Sequence, residues 1–201
     1  MKRESTREKI LDAAAELVHR KGFNHTGIQE ILDASAVPKG SFYFYFKSKE
    51  DLGLALVDRY AEKIVDKAKS FFEDDSRRPL DRLRSFFQSF YARHEAEGCQ
   101  RGCPIGNLSQ EMSDLSVAFR QKLESVLRRM AGEAARLLRE AGMAGELPAH
   151  LDPEEAARFI MSSWQGALLT MKVEKSVAPL LRFDRFIFEE ILSGRKSDGS
   201  R

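Results

Sequence analysis

The stretch TGIQEILDASAVPKGSFYFYFKSK, residues 26–49, is the most informative part of the chain. Its first half places Ile31 and Leu32 on one helical face, and Thr26 before them is a residue type that caps helix N-termini. Pro38 then starts a second short helix, because a proline in the first turn loses no backbone hydrogen bond. Two short helices joined by a tight turn form a helix-turn-helix, whose second helix reads DNA.

The residues on both sides of this stretch also carry helix signals. Ser5, with a glutamate three residues later, forms a capping box and predicts the start of a first helix. That helix should end at Gly22, and Phe23 should then enter the core of a small three-helix unit. Ser48 and the acidic residues that follow it begin a fourth helix, which apolar spacing continues to Phe72.

The rest of the chain keeps helical spacing and has no run in which apolar and polar residues alternate. Helices are predicted from Pro79 to near Gly98, from Ile105 to Met112, from Leu115 to Leu138 with a stop at Ala141-Gly142, from Asp152 onward, and from Ser176 to Leu192. We therefore predict an all-α fold of about nine helices. Residues 1–48 would form the helix-turn-helix domain, residues 49–193 a larger body, and residues 194–201 a flexible tail.

Composition narrows the class of protein. No apolar run approaches the roughly 20 residues that span a membrane, and the first ten residues lack the apolar core of a signal peptide, so we predict a cytoplasmic protein. The net charge is only +2, and residues 1–51 hold nine basic and eight acidic side chains. DNA binding would therefore depend on a few well-placed cations. The candidates are Lys2, Arg3, Arg7, Lys39, Lys47 and Lys49.

The first 52 residues resemble the TetR family of bacterial transcriptional regulators. The resemblance is carried by Lys21-Gly22-Phe23, Thr26, Ile31-Leu32, Val37, Lys39-Gly40-Ser41, Phe42-Tyr43, Phe46, Ser48-Lys49 and Leu52. The later stretch GCPIGNL is similar to a local motif in one subset of these regulators. Two positions depart from the family pattern. Ala36 stands where glycine is frequent, which makes a left-handed turn costlier, and Tyr45 stands where histidine is common.

The resemblance implies a double-stranded DNA operator, bound by a homodimer whose two short reading helices occupy two half-sites. It also implies phosphate contacts from Thr26, Lys39, Tyr43, Tyr45 and Lys49. The residues expected at base edges or the groove wall are Gln29, Lys39, Gly40 and Ser41, and only contacts to bases carry sequence information. We expect at least two of Phe42, Phe44 and Phe46 to lie in the core instead.

A TetR-like body implies an inducer site between its helices and dimerisation through its last two helices. The leading hypothesis is a repressor that a small, largely apolar molecule releases from DNA. The candidate pocket residues are Phe86, Phe90, Met112, Phe119, Leu123, Met161, Trp164, Gln165 and Leu168. Large apolar residues of this kind also form ordinary cores, so that alternative stays open.

Two further functions are kept as alternatives. Cys103 precedes a helix start and has Arg101 nearby, which favours a thiolate, so Cys99 and Cys103 could sense oxidants or electrophiles on the same scaffold. We favour the other interpretation, in which both are structural thiols, because cysteines are commonly buried and inert. A helical carrier or enzyme is the remote alternative, because the sequence has no nucleophile with a base and no phosphate loop. We predict no cofactor, and the four scattered histidines do not suggest a metal site.

Overall fold

A computed structural model of the chain describes residues 5–193, and within that range it contains helices and no strand. The α-helices are α1 (Thr6–Lys21), α2 (Ile28–Ser35), α3 (Lys39–Tyr45), α4 (Lys49–Phe72), α5 (Pro79–Gln88), α6 (Tyr91–Ala96), α7 (Pro104–Met112), α8 (Val117–Met143), α9 (Pro153–Glu174) and α10 (Ala178–Arg185). The predicted all-α fold is confirmed. Lys2, Arg3 and the predicted flexible tail, residues 194–201, lie outside the described residues.

The helix predicted from Pro79 to near Gly98 is divided into α5 and α6. The division falls at Ser89, whose hydroxyl donates to the carbonyl of Phe86 at 2.6 Å. A serine that bonds to the backbone in this way competes with regular helix geometry. The single long helix predicted here was therefore wrong.

Helix α8 is longer than predicted, because it continues through Gly142 to Met143. An exposed glycine inside a helix costs about 1 kcal/mol but does not by itself end the helix. The stop comes at Gly145, which adopts a left-handed φ of 73°. Just beyond it, the Glu146 N–H donates to the carbonyl of Ala141 at 2.8 Å, the long bond that closes many helix C-termini.

The last helix begins at Ala178 and changes character part-way. From Phe186 to Ile191 it is a π-helix. The Leu192 N–H accordingly donates to the carbonyl of Ile187, five residues earlier, at 2.9 Å. π-Helical turns are rare in proteins, and those that do occur often lie at functional sites.

The chain divides into two compact units by its internal contacts. The first comprises Met1–Lys63 and Pro104–Ser125, and the second comprises Ile64–Cys103 and Val126–Arg201, described here as far as residue 193. The predicted boundary between residues 48 and 49 is a functional division and stays a prediction. Helices α4 and α8 each contribute residues to both units.

The first unit contains α1, α2 and α3 around an apolar core. Ser5 caps α1 by accepting a hydrogen bond from the Glu8 N–H at 3.3 Å, as predicted. Helix α4 is attached to α1 by the hydroxyl of Tyr60, which donates to the carbonyl of Ala15 at 2.7 Å. Burial raises the pKa of that tyrosine, so it remains a donor at all physiological pH values.

The closest packing in the first unit surrounds Gly53 in α4. A methyl group added there would lie 2.4 Å from the ring of Phe119 and 2.6 Å from the ring of Phe23. The two rings meet edge to face, with their centroids 5.1 Å apart. Glycine therefore lets the loop after α1 and the first turn of α8 reach the backbone of α4.

The second unit has its own aromatic core. The ring of Phe87 lies 5.1 Å from Trp164 and 5.1 Å from Phe183, centroid to centroid, and joins α5, α9 and α10. Beside it, the Arg84 guanidinium donates to the buried Asp184 carboxylate at 3.0 Å. Because a charge buried without a partner is costly, this pair fixes α5 against α10.

None of the described helices is long and apolar enough to cross a membrane.

We predict that Gly53→Ala destabilises the protein by about 1–3 kcal/mol, because the added methyl group overlaps two buried rings. The matched change Gly132→Ala, at an exposed position of α8 with open space around it, should stabilise it by roughly 0.5–1 kcal/mol. Thermal unfolding followed by circular dichroism measures both effects. Equal shifts in the two variants would contradict the packing described at Gly53.

Candidate DNA-binding surface and ligand pocket

The turn between α2 and α3 has the geometry of a helix C-terminal motif. Ala36 adopts a left-handed conformation, with φ 53° and ψ 39°. The following Val37 N–H donates to the carbonyl of Leu32 at 3.1 Å, and both of these side chains are buried. This is the Schellman arrangement, in which an apolar contact accompanies the last hydrogen bond. Ala36 therefore adopts the left-handed conformation that was expected to be less favourable for alanine than for glycine.

Thr26 has a different place from the one predicted. Gly27 is the N-cap of α2, and no side chain caps that helix. The Thr26 side chain is fully buried, and its hydroxyl donates to the carbonyl of Gly22 at 2.6 Å. The capping prediction was wrong because this hydroxyl closes the loop after α1. A hydroxyl that is buried and already donates a hydrogen bond is a poor donor to phosphate, so Thr26 is not among the DNA contacts proposed below.

Helix α3 has one buried face and one exposed face. Phe42 and Phe46 are buried and hold the helix to the core, which confirms that at least two of the three phenylalanines belong there. Lys39, Gly40 and Tyr43 are exposed, whereas Ser41 and Tyr45 are half-buried. Phe44 is also exposed.

Two predicted contact residues make hydrogen bonds inside the first unit. The Lys49 ammonium donates to the carbonyl of Asn24 at 3.3 Å and lies 4.7 Å above the ring of Phe23. Partial burial lowers the pKa of this lysine. Gln29 is exposed on α2, and its side-chain amide donates to Asp33 at 2.8 Å. Both residues remain candidates for DNA contact, although each would have to share its donors.

Glu111 in α7 has a role that the sequence did not suggest. Its carboxylate accepts hydrogen bonds from the Phe23 N–H at 2.8 Å and the Asn24 N–H at 2.6 Å. This side chain fixes the loop that leads into the helix-turn-helix. A single carboxylate whose partners lie 87 and 88 positions away in the chain leaves no local pattern to find.

The predicted pocket residues fall into both units. Met112, Phe119 and Leu123 belong to the first unit, and all three are buried. The second unit contains the others, which are Phe86, Phe90, Met161, Trp164, Gln165 and Leu168. Phe86 and Met161 line a small apolar cavity. Its volume of about 20 Å³ holds no more than one water molecule, so these side chains are closely packed.

A larger groove of about 450 Å³ opens beside this cavity within the second unit. The two share Val65, Ala68, Phe72 and Glu133 as lining residues. The groove adds charged side chains from α4 and α8, including Arg136. The groove therefore combines charged side chains with an apolar wall that it shares with the cavity.

The two cysteines are free thiols. Cys99 is buried, in a left-handed backbone conformation with φ 53°. Cys103 is half-buried directly before α7, and its sulfur accepts a hydrogen bond from the Gln165 side-chain amide at 3.4 Å. Redox sensing by this pair stays a prediction.

Helix α9 and the last helix, from α10 into its π-helical part, expose apolar side chains on the second unit. Phe159 and Phe186 are each about half exposed, and they line a shallow groove of about 440 Å³. Its other lining residues are Ser163, Ala167, Thr170, Pro179, Arg182, Phe183, Ile187 and Ile191. Exposed apolar patches on soluble proteins commonly mark interaction surfaces.

In comparisons with known proteins, two family models match two separate parts of the chain. The family model for bacterial regulatory proteins of the tetR family matches residues 10–56. The model for the tetracyclin repressor-like C-terminal domain matches residues 79–187. The chain belongs to the TetR family. Regulators of this family bind DNA operators, and they are transcription factors rather than enzymes.

Individual TetR-family relatives are similar over most of their length. The transcriptional regulator AcuR of Cereibacter sphaeroides is 41% identical over 181 residues, covering 89% of this chain and 81% of AcuR. The transcriptional repressor DhaR of Mycobacterium sp. is 31% identical, covering 96% and 95%. The crystal structure of a regulatory TetR protein from Rhodobacter sphaeroides superimposes with a TM-score of 0.86 at 39% identity, covering 92% and 97%.

We predict that Ala36→Gly stabilises the protein by roughly 0.5–1 kcal/mol, because glycine adopts the left-handed conformation without steric strain. Thermal unfolding should show a rise of roughly 2–4 °C per kcal/mol for a chain of this size. Ala34→Gly is the matched control, an exposed alanine inside α2, and it should lower stability by about 1 kcal/mol. The same sign in both variants would contradict a left-handed Ala36.

Proposed function

We propose that this chain is a ligand-responsive transcriptional repressor that binds a palindromic operator as a homodimer and is released by a small molecule. The observation that carries the proposal is the outward face of α3. It presents Lys39, Gly40 and Tyr43 to solvent, while buried Phe42 and Phe46 fix the helix from behind. Under this proposal, residues 1–48 serve DNA binding and residues 49–193 serve ligand binding and dimerisation.

The proposed DNA contacts divide by chemistry. Lys39 and the hydroxyls of Tyr43 and Tyr45 would bind phosphate oxygens, which position the protein without reading sequence. Gly40 has open space on its outer side, so its backbone can approach the groove closely. Ser41 and Gln29 would supply the polar contacts to bases.

The proposed dimer uses the exposed apolar face of α9 and α10. A helix of seven residues such as α3 contacts few base pairs, so specificity requires two copies at a fixed spacing. A homodimer would supply both copies and bury Phe159 and Phe186 against their equivalents in a partner. Two helices from each subunit then form a four-helix interface.

The proposed inducer enters the groove that α4 and α8 line in the second unit. The apolar cavity behind the groove favours a molecule with a largely apolar body, and the charged rim would contact its polar end. Because the cavity is nearly filled in this structure, binding would displace the helices that line it, which include α4 and α8. Since both helices also contribute to the first unit, their displacement would change how the two reading helices are held.

The first prediction from this proposal concerns operator binding. Lys39→Ala and Tyr43→Ala should each abolish binding in a gel shift against the DNA that flanks the chain's own coding region. At low salt concentration, where residual binding of Lys39→Ala becomes measurable, the dependence of log Kd on log salt concentration should be smaller by about 2, because the dimer loses one phosphate contact in each subunit.

The control for this prediction is Lys63→Ala, an exposed lysine of α4 in the same unit, which should bind as the wild type does. Unfolding temperatures confirm that each variant folds. Wild-type affinity in both α3 variants would remove α3 from the DNA contact surface.

The second prediction concerns the dimer. Phe186→Glu should convert the protein to a monomer in sedimentation velocity experiments, because a carboxylate replaces an apolar contact in the proposed interface. Leu115→Glu places the same change at an exposed apolar residue of the first unit and should leave the dimer intact. A dimer that persists in Phe186→Glu with an unchanged dissociation constant would place the interface elsewhere.

A further inference from the structure

Among the described residues, Phe44 is the most exposed large apolar side chain, with 83% of its surface accessible. Its neighbours in the sequence differ sharply, since Phe42 and Phe46 are buried. The ring is not part of the core. Its recorded ring contact is with Tyr45, edge to face with centroids 5.0 Å apart. A phenyl ring exposed to this extent is available to a partner outside the chain, and burying it there would be favourable.

The position of Phe44 on α3 places it on the DNA-facing side. Residues three and four apart lie on one face of a helix, so Phe44 shares a face with Gly40, and Tyr43 lies directly beside it. Gly40 leaves open space there, because a methyl group added to it would meet nothing within 4 Å. Side chains on helices lean toward the preceding turn. The Phe44 side chain therefore lies on a face of α3 where Gly40 adds no side chain of its own.

The chemistry of the phenyl ring limits what it can contact. Lys39, Tyr43 and Tyr45 can each donate a hydrogen bond to phosphate, whereas phenylalanine has no donor. In the major groove, the apolar group that a base presents is the 5-methyl group of thymine. Wedge-like insertion of apolar side chains between bases belongs to proteins that bind the minor groove, which is not how a helix-turn-helix reads DNA.

We propose that Phe44 is a specificity-determining residue, whose ring packs against a thymine 5-methyl group in each half-site of the operator. The inference rests on the proposed function, because it requires α3 to lie in the major groove. It adds a direct apolar readout to the polar contacts of Ser41 and Gln29. The operator should accordingly contain one thymine at a symmetric position in each half-site, where replacement weakens binding without loss of any hydrogen bond.

The test replaces single thymines by deoxyuridine, which lacks only the methyl group. The operator is first selected from a random DNA pool with the wild-type protein. Replacing the contacted thymine in one half-site should weaken wild-type binding about fourfold, the factor expected for one buried methyl group. In Phe44→Ala the same replacement should have no effect on binding. For the wild-type protein, placing 5-bromodeoxyuridine at that position should restore full affinity, because bromine is close to methyl in size.

Two controls separate the possible failures. Leu115→Ala removes another exposed apolar side chain of the first unit and should keep the wild-type response to deoxyuridine. Lys39→Ala tests whether α3 contacts DNA at all. If Lys39→Ala and Tyr43→Ala both bind as the wild type does, both the proposed function of α3 and the role of Phe44 are wrong.

If Lys39→Ala loses binding, the result for Phe44 stands by itself. Insensitivity of the wild type to every deoxyuridine replacement would overturn the methyl contact. Equal sensitivity in Phe44→Ala and the wild type would also overturn it. Phe44 is exposed, so Phe44→Ala should keep the wild-type unfolding temperature, and that measurement shows that a change in binding does not come from unfolding.

Discussion

The first unit depends on the absence of a side chain at Gly53. Two rings, from Phe23 and Phe119, occupy the space where a Cβ would be. Phe23 begins the loop that leads to the helix-turn-helix, and Phe119 lies in the first turn of α8. One position of α4 thereby determines how closely both neighbours approach it. Interiors at this density do not deform continuously, so a displacement of α4 would move the two rings or expel one of them. A tightly packed position of this kind is suited to discrete rather than graded changes.

The loop after α1 is held by polar contacts as well as by packing. Glu111 accepts hydrogen bonds from two consecutive backbone amides of that loop, and the Lys49 ammonium donates to a carbonyl of the same loop. Charge-assisted bonds are stronger than neutral ones, and a loop with its backbone groups satisfied has few alternative conformations. The exposed face of α3 is therefore presented by a nearly rigid support. Since Glu111 belongs to α7, any displacement of α7 would be transmitted to this loop through direct hydrogen bonds rather than through loose surface contacts.

Local signals in the sequence predicted the elements whose causes are local. The serine cap of α1, the start of α4 at Ser48 and the start of α9 at Asp152 all follow from side chains within three residues of the helix end. Features whose causes lie far away in the chain could not be predicted in this way. Glu111 binds the loop after α1 from 87 and 88 positions away. Thr26 was mispredicted for another reason, because its hydroxyl has two possible local partners and bonds to the carbonyl of Gly22 rather than capping α2. Gly53 was the one missed feature with a visible signal, because a glycine inside a strong helical pattern costs stability and needs a compensating reason.

The aromatic cluster at residues 42–46 shows why it is harder to predict which side chains of a helix are buried than to predict that the helix forms. Five consecutive aromatic residues fit any rotation of a short helix, so periodicity cannot say which rings face inward. The rotation of α3 is set at its N-terminal end. Pro38 directly precedes the first turn of α3, and the left-handed Ala36 sets the direction in which the chain leaves α2. With that direction set, Phe42 and Phe46 turn inward together, four residues apart, and Phe44 must face out. A small conformational cost at Ala36 is thus linked to the surface that α3 exposes, because a different turn would expose a different ring.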